Sequence, residues 1–403
     1  MSQTVVRYMD MVNITFYFEV HQPFRLKRVF SFGETSNIID KERNSHIFNR
    51  VSDKCYLPMT KLLIRLVKEH PGFKVSFSFT GTFFEQAEMF RPEVINAFQE
   101  LYDTGGMDIL SETYYHSLAF LVDKKEFKEQ ISEHSDLIKK YFNYKPSVFR
   151  NTEAMYSNEI AGTVAKMGYT GILAEGWDKY LGWRSQNYLY SPPNEKISVL
   201  LRNYKLSDDV AFRFSSREWN QWPLTADKYS DWISRNEGDT VNLFMDYETF
   251  GEHQWSETGI FDFMRALPSE MSKRGIGFNT VTETSKIKPV GIIDVPEIMS
   301  WADIDRDLSA WLGNRMQNEA FKKLKSVYEK VLASGDQEII KKWRILQTSD
   351  NFYYMCTKWF ADGDIHKYFN AYENPYLAYI NYMNILSSLD KEIKLSSAQH
   401  RMR

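Results

Sequence analysis

Residues 241–255, VNLFMDYETFGEHQW, decide how this chain is read. The segment opens as a buried strand, with Val241, Leu243, Phe244 and Met245 in a nearly unbroken apolar run. It then turns acidic, placing Asp246, Glu248 and Glu252 within seven residues, and Gly251, His253 and Trp255 follow. An apolar strand whose C-terminal end carries carboxylates, a glycine and aromatics has the composition of a β/α-barrel rim. Asp246 is therefore a candidate for one half of a carboxylate pair, and the rest of the chain must supply the other half.

Working outward, six more strand-like runs precede this one, and helical stretches separate most of them. They are residues 13–20 (NITFYFEV), 74–80 (KVSFSFT), 107–110, 147–149, 170–174 and 197–201. Helices are expected at 57–69, across 84–102 with Pro92 opening the second of two, at 124–142, from an N-cap at Ser157 to Lys166, and near 229–235. Residues from about 24 to 50 read as a long polar loop. Repeated β-then-α order implies parallel strands joined by crossover helices. An incomplete (β/α)7 barrel over residues 1–299 is the simplest closure, because the one further candidate strand, 278–284, is short and polar. From residue 300 to 403 the pattern is helical, with helices expected at 303–313, 318–332, 337–358 and 375–395, and it is dense in aromatics such as Trp301, Trp311, Trp343, Trp359 and Phe360.

The 403 residues carry a formal net charge of −3, which gives no reason to expect a nucleic acid or an anionic membrane as partner. Ten Trp, 24 Tyr and 28 Phe are many; most belong in a core, but sugar rings also stack on aromatic faces. Cys55 and Cys356 match neither a disulfide framework nor a metal spacing and are expected as core thiols. With no leader-like or membrane-spanning pattern, the expected location is cytoplasmic. Oligomeric state is not legible.

The strand ends would gather His21, Glu112, His116, Glu153, Glu175, Asp246, Glu248, Glu252 and His253 at one mouth. Neither a G-x-S-x-G elbow, a zinc-hydrolase histidine spacing nor a phosphate-binding glycine loop is present. No cofactor or metal is expected. What remains is a pair of carboxylates, the equipment of glycoside hydrolysis. Position alone does not choose between Glu153 and Glu175. Glu153 has an alternative as a helix-cap partner, Asp246 as an ion-pair partner of Arg150 or Arg202, and His21 and His253 as core imidazoles.

Five segments in order, 20–23 (VHQP), 106–116 (GMDILSETYYH), 149–156 (FRNTEAMY), 246–255 (DYETFGEHQW) and 300–317 (SWADIDRDLSAWLGNRMQ), resemble the ordered motifs of glycoside hydrolase family 57, in particular its α-amylase-like members. The resemblance implies a (β/α)7 barrel with an adjoining helical region and a retaining mechanism on α-glucans. It implies Glu153 as nucleophile and Asp246 as acid/base. His21, Glu112, His116, His253, Trp255 and Trp301 are the implied substrate-binding residues. Residues 111–113 (SET) depart from the family's glycine-rich wording, which leaves the role of Glu112 open. An α-amylase-type hydrolase is expected over a branching enzyme or 4-α-glucanotransferase. A metal-dependent polysaccharide deacetylase and a non-catalytic glucan-binding protein are the alternatives from other classes.

Overall fold

The computed structural model describes residues 12–28, 37–358 and 370–401, with side chains to residue 396. Trp359 and Phe360 lie outside the described residues. Ten strands are found among the described residues: β1 Asn13–Val20, β2 Val75–Phe79, β3 Met107–Ile109, β4 Val148–Phe149, β5 Gly171–Glu175, β6 Tyr190–Ser191, β7 Ser198–Arg202, β8 Thr240–Asp246, β9 Phe278–Asn279 and β10 Gly291–Ile292. Parallel pairing runs β8-β1-β2-β3 in one sheet and β4-β5-β7 in a second. Two seams join them. At one, Ser111 bridges Phe149, with Ser111 N donating to Val148 O (2.9 Å) and Arg150 N to Ser111 O (2.8 Å). At the other, Asn203 N donates to Asn242 O (2.9 Å) and the Asn242 amide to Leu201 O (2.9 Å). The result is a distorted seven-stranded α/β ring followed by helices.

Period-two alternation explains what each strand presents. On β8, Val241, Leu243 and Met245 pack outward into the apolar cluster that holds the helices Leu57–Glu69, Pro92–Asp103 and Ile260–Lys273. Phe244 instead joins Tyr17, Leu110, Val148, Leu173 and Leu200 in a separate cluster filling the ring. Continuing that inward row by two residues puts Glu19, Glu112, Arg150, Glu175, Arg202 and Asp246 at the C-terminal end of the lumen. A charged layer therefore caps an apolar plug.

Four expectations need correction. Residues 41–51 form a helix, Lys41–Val51, capped by the Asp40 side chain and running through a π-helical turn into Leu57–Glu69; its polar face had disguised it as loop. Phe278–Asn279 does pair with β1, but a capping box at Thr280 turns the chain into helix at once. The expected helix over 303–313 is reduced to Ser309–Leu312. Gln337–Leu346 and Ser349–Tyr353 replace one continuous helix.

From Ser309 onward every secondary-structure element among the described residues is a helix, ending in Pro375–Arg401. These helices share an apolar cluster with the outward residues Phe149, Ile172, Ala174, Val199 and Leu201, with Trp343 and Trp311 fully buried in it. No helix among the described residues is long and apolar enough to cross a membrane.

Candidate active site

A cavity of about 890 Å³ opens above the charged layer, within the usual range for ligand sites. Its wall includes Glu19, His21, His116, Glu153, Asp246, Glu248, His253, Trp255 and Trp301. Glu112 and Glu175 are absent from it: Glu112 is fully buried behind His116, and Glu175 is buried in an ion pair with Arg202 (3.1 Å). The structure thus gathers seven of the eight sequence-predicted residues around one space and sets Glu112 one layer deeper.

Glu153 follows β4 in a strained turn. Its φ is 56° and that of Ala154 is 49°, both in the left-handed region, which costs about 1–3 kcal/mol per non-glycine residue. The helix cap that follows is Ser157, whose hydroxyl accepts from Ile160 N, so Glu153 is not needed there. Both carboxylate oxygens are instead held from other segments. Oε1 accepts from His116 Nε2 (3.3 Å) and Ser349 Oγ (2.9 Å), and Oε2 from Trp301 Nε1 (3.0 Å). Burial pushes the Glu153 pKa up, but His116, Arg150 and Trp301 outweigh it and hold the group at about 2.

Trp301 and Ser349 come from beyond the ring, and backbone pairing docks both. Tyr156 and Met299 exchange two hydrogen bonds, and Trp301 N donates to Glu153 O (3.2 Å). Ser349 N donates to His116 O (2.9 Å), and the Thr348 hydroxyl to Tyr115 O (3.0 Å). Two guanidiniums lie over the Trp301 ring, Arg150 at 4.6 Å and Arg202 at 5.7 Å from its centroid.

His116 is the hub beneath Glu153. Its Nδ1 lies 3.0 Å from Glu19 and 3.5 Å from Glu112. Burial opposes its charge, yet Glu19, Glu112 and Glu153 raise its pKa well above the imidazole range, so it is an imidazolium that donates from both nitrogens. Arg150 grips Glu19 with two parallel bonds, Nη1 to Oε1 at 2.6 Å and Nη2 to Oε2 at 2.5 Å. His21 stacks on His116 with ring centroids 4.1 Å apart and bonds Thr80 and Asp350, both at 3.0 Å.

Asp246 is different. Arg150 is committed to Glu19, and Arg202 to Glu175 and Asp208 (2.5 Å). The Asp246 side chain makes no hydrogen bond or salt bridge among the described residues. Burial, then the charges of Glu19 and Glu153, raise its pKa to about 7 against the pull of Arg150 and His116. One carboxyl is held ionised and its neighbour protonated, which is the division of labour a general acid and a nucleophile require.

Around them, Glu248 accepts from the Tyr56 hydroxyl and burial raises its pKa well above the usual range. Glu252 pairs with Arg50 (2.6 Å). Burial lowers the His253 pKa to about 4, leaving a neutral ring on the wall. Trp255 stands 58 % exposed at the edge with Lys54 over its ring. Glu19, Glu112 and His116 bring potential ligand atoms within 4.8 Å of one another. The Arg150 guanidinium already occupies the cation's place against Glu19, so this donor set does not suit a metal ion.

Glu19, Ser349 and Asp350 were missed in the sequence. A lone carboxylate inside the apolar run NITFYFEV was the available signal for Glu19. Ser349 and Asp350 lie in an ordinary helical stretch and gave none.

The profile of glycosyl hydrolase family 57 matches residues 15–296. The chain belongs to glycosyl hydrolase family 57. It is a glycoside hydrolase by that membership. A provisionally named alpha-amylase of Methanocaldococcus jannaschii is 45 % identical over 397 residues, covering 94 % of this chain and 85 % of that one. The Pyrococcus furiosus alpha-amylase is 23 % identical over 307 residues, and this chain spans only 43 % of its length. Among solved family 57 folds, the 4-alpha-glucanotransferase of Thermococcus litoralis superposes with a TM-score of 0.69 at 19 % identity, over 94 % of this chain and 60 % of that one. A branching enzyme of Thermococcus kodakaraensis gives 0.69 at 13 % identity, over 93 % and 88 %. These likenesses bear on the fold and leave the reaction within family 57 open.

Proposed function

We propose that this family 57 protein is a retaining α-amylase-type hydrolase of α-1,4-glucans, with Glu153 as nucleophile and Asp246 as acid/base. The observation that carries the proposal is the opposed protonation of the two carboxyls on one cavity wall, at about 2 and about 7. Asp246 donates its proton to the glycosidic oxygen as ionised Glu153 attacks the anomeric carbon. A covalent glucosyl-enzyme forms and the leaving chain departs with the proton. Asp246, now a base, then takes a proton from water, and the hydroxide oxygen displaces Glu153. His21, His116, His253, Trp255 and Trp301 contact the sugars in this reading, residues 1–299 form the catalytic unit, and residues 300–403 brace it.

The substrate assignment also rests on the 45 % identity to the provisionally named alpha-amylase. Incubation with starch and with maltooligosaccharides tests it, with product lengths and anomeric configuration followed by NMR. Shorter products of α configuration are expected, and β products would rule out retention. Glu153→Gln and Asp246→Asn should abolish turnover while Glu175→Gln should not.

Transfer to a second sugar is the other reading. It is favoured by Phe212, Trp255 and Ile304, which line the cavity yet remain 52, 58 and 78 % exposed. An apolar rim of that kind suits an acceptor sugar, and products longer than the substrate would identify transfer.

A further inference from the structure

We propose that Glu19 is the positioning residue that couples the two candidate catalytic carboxyls. The inference rests on the assignment of Glu153 and Asp246 above. In the parallel ladder of β1 and β8, Glu19 is the register partner of Asp246, so the two side chains leave the same face of the ring side by side. The Glu19 carboxylate then reaches in two directions toward Glu153. Through Oε1 it accepts from His116 Nδ1 (3.0 Å), and the opposite nitrogen of that ring holds Glu153 Oε1 (3.3 Å). Through both oxygens it fixes Arg150, whose guanidinium stacks at 4.6 Å on the Trp301 ring, and Trp301 Nε1 holds Glu153 Oε2 (3.0 Å). Glu153 Oε1 is thus two links, and Oε2 three, from one buried carboxylate.

Charge arithmetic gives the second half of the coupling. The groups facing Asp246 are Glu19 on β1, Glu153 and Arg150 after β4, His116 after β3, and Glu248 beyond its own strand. Glu19 takes the guanidinium of Arg150 and the Nδ1–H of the imidazolium, leaving Asp246 beside a carboxylate with no cation of its own. Removing the Glu19 charge would release both cations toward Asp246 and favour its ionised form. A residue that only filled space would not do this.

The test compares Glu19→Gln and Glu19→Asp with wild type, using maltooligosaccharide hydrolysis across pH and far-UV circular dichroism as a check of folding. For Glu19→Gln we expect kcat to fall at least about tenfold with KM changed far less, and the basic limb of the pH profile to move down by about half a unit or more. Glu19→Asp keeps the charge but shortens the reach, so it should lower kcat and leave the limb where wild type has it. Should Glu19→Gln fail to fold, Glu19→Asp carries the decision: wild-type kcat overturns the proposal and a lowered kcat with an unmoved limb supports it. Folded Glu19→Gln with an unmoved limb also overturns it. Glu153→Gln and Asp246→Asn are measured alongside. If they remain active the catalytic assignment itself has failed, whereas if they are dead and Glu19→Gln is not, only the role of Glu19 falls.

Discussion

Glu19 and Asp246 are register partners on adjacent strands, and Arg150 bonds Glu19 through both carboxylate oxygens but bonds neither oxygen of Asp246. In the proposed mechanism the active form pairs ionised Glu153 with protonated Asp246, a combination that exists between about pH 2 and about pH 7. Activity should therefore fall on a basic limb near pH 7 as Asp246 loses its proton. A profile of kcat/KM against pH on a soluble maltooligosaccharide checks this, and a basic limb above about pH 9 would remove Asp246 as the acid.

The same proton links to stability. The folded-state pKa of Asp246 lies above the unfolded value of about 4, so its contribution is present below that value and is lost as pH climbs through about 7. Asp246→Asn stays neutral throughout. The stability of Asp246→Asn relative to wild type in urea unfolding should rise between pH 5 and pH 8.5, by on the order of 1–3 kcal/mol. An equal difference at both pH values would contradict the burial of an uncompensated charge.

Much of this architecture was legible in the sequence, for reasons that individual residues make plain. Alternation on β8 separates Val241, Leu243 and Met245 from Phe244 and Asp246, and a period of two is insensitive to where the strand ends are drawn. The ring order followed because each strand is trailed by polar residues and then by a capped helix, as at Ser157. The deeper layer was not legible. Glu112 and Glu175 occupy strand ends just as Glu153 does, and only three-dimensional packing shows that they are buried behind His116 and against Arg202. Nor could local pattern link Ser349 to Glu153 across 196 positions, since tertiary contact alone sets that pair.

Gly251 is required by backbone approach. Its φ is +114°, and a Cβ there would lie 1.9 Å from Lys54 O. Gly251→Ala must therefore push the 248–255 loop off the π-helical turn Ser52–Tyr56, taking His253 and Trp255 with it. Destabilisation of about 2 kcal/mol or more is expected, together with a raised KM. Thermal unfolding and maltooligosaccharide kinetics check the pair of effects, and wild-type values in both would show the approach to be loose.

Trp301 offers the sharpest separation of orientation from packing. Its indole lies against Arg150 and Arg202, and its Nε1 is the sole bond to Glu153 Oε2 among the described residues. Trp301→Phe keeps an aromatic face for the guanidiniums and deletes the donor. A hydrogen bond to a charged group contributes about 1.5–3 kcal/mol, so kcat should fall about 10- to 150-fold. Without that donor Glu153 also loses one of the forces holding its pKa down, so the acidic limb should move to higher pH. Trp301→Ala additionally removes the stacked face, and it should lose thermal stability that Trp301→Phe retains. If Trp301→Phe keeps the wild-type kcat and acidic limb while Trp301→Ala loses activity, Trp301 acts by bulk alone and Glu153 is oriented by His116 and Ser349.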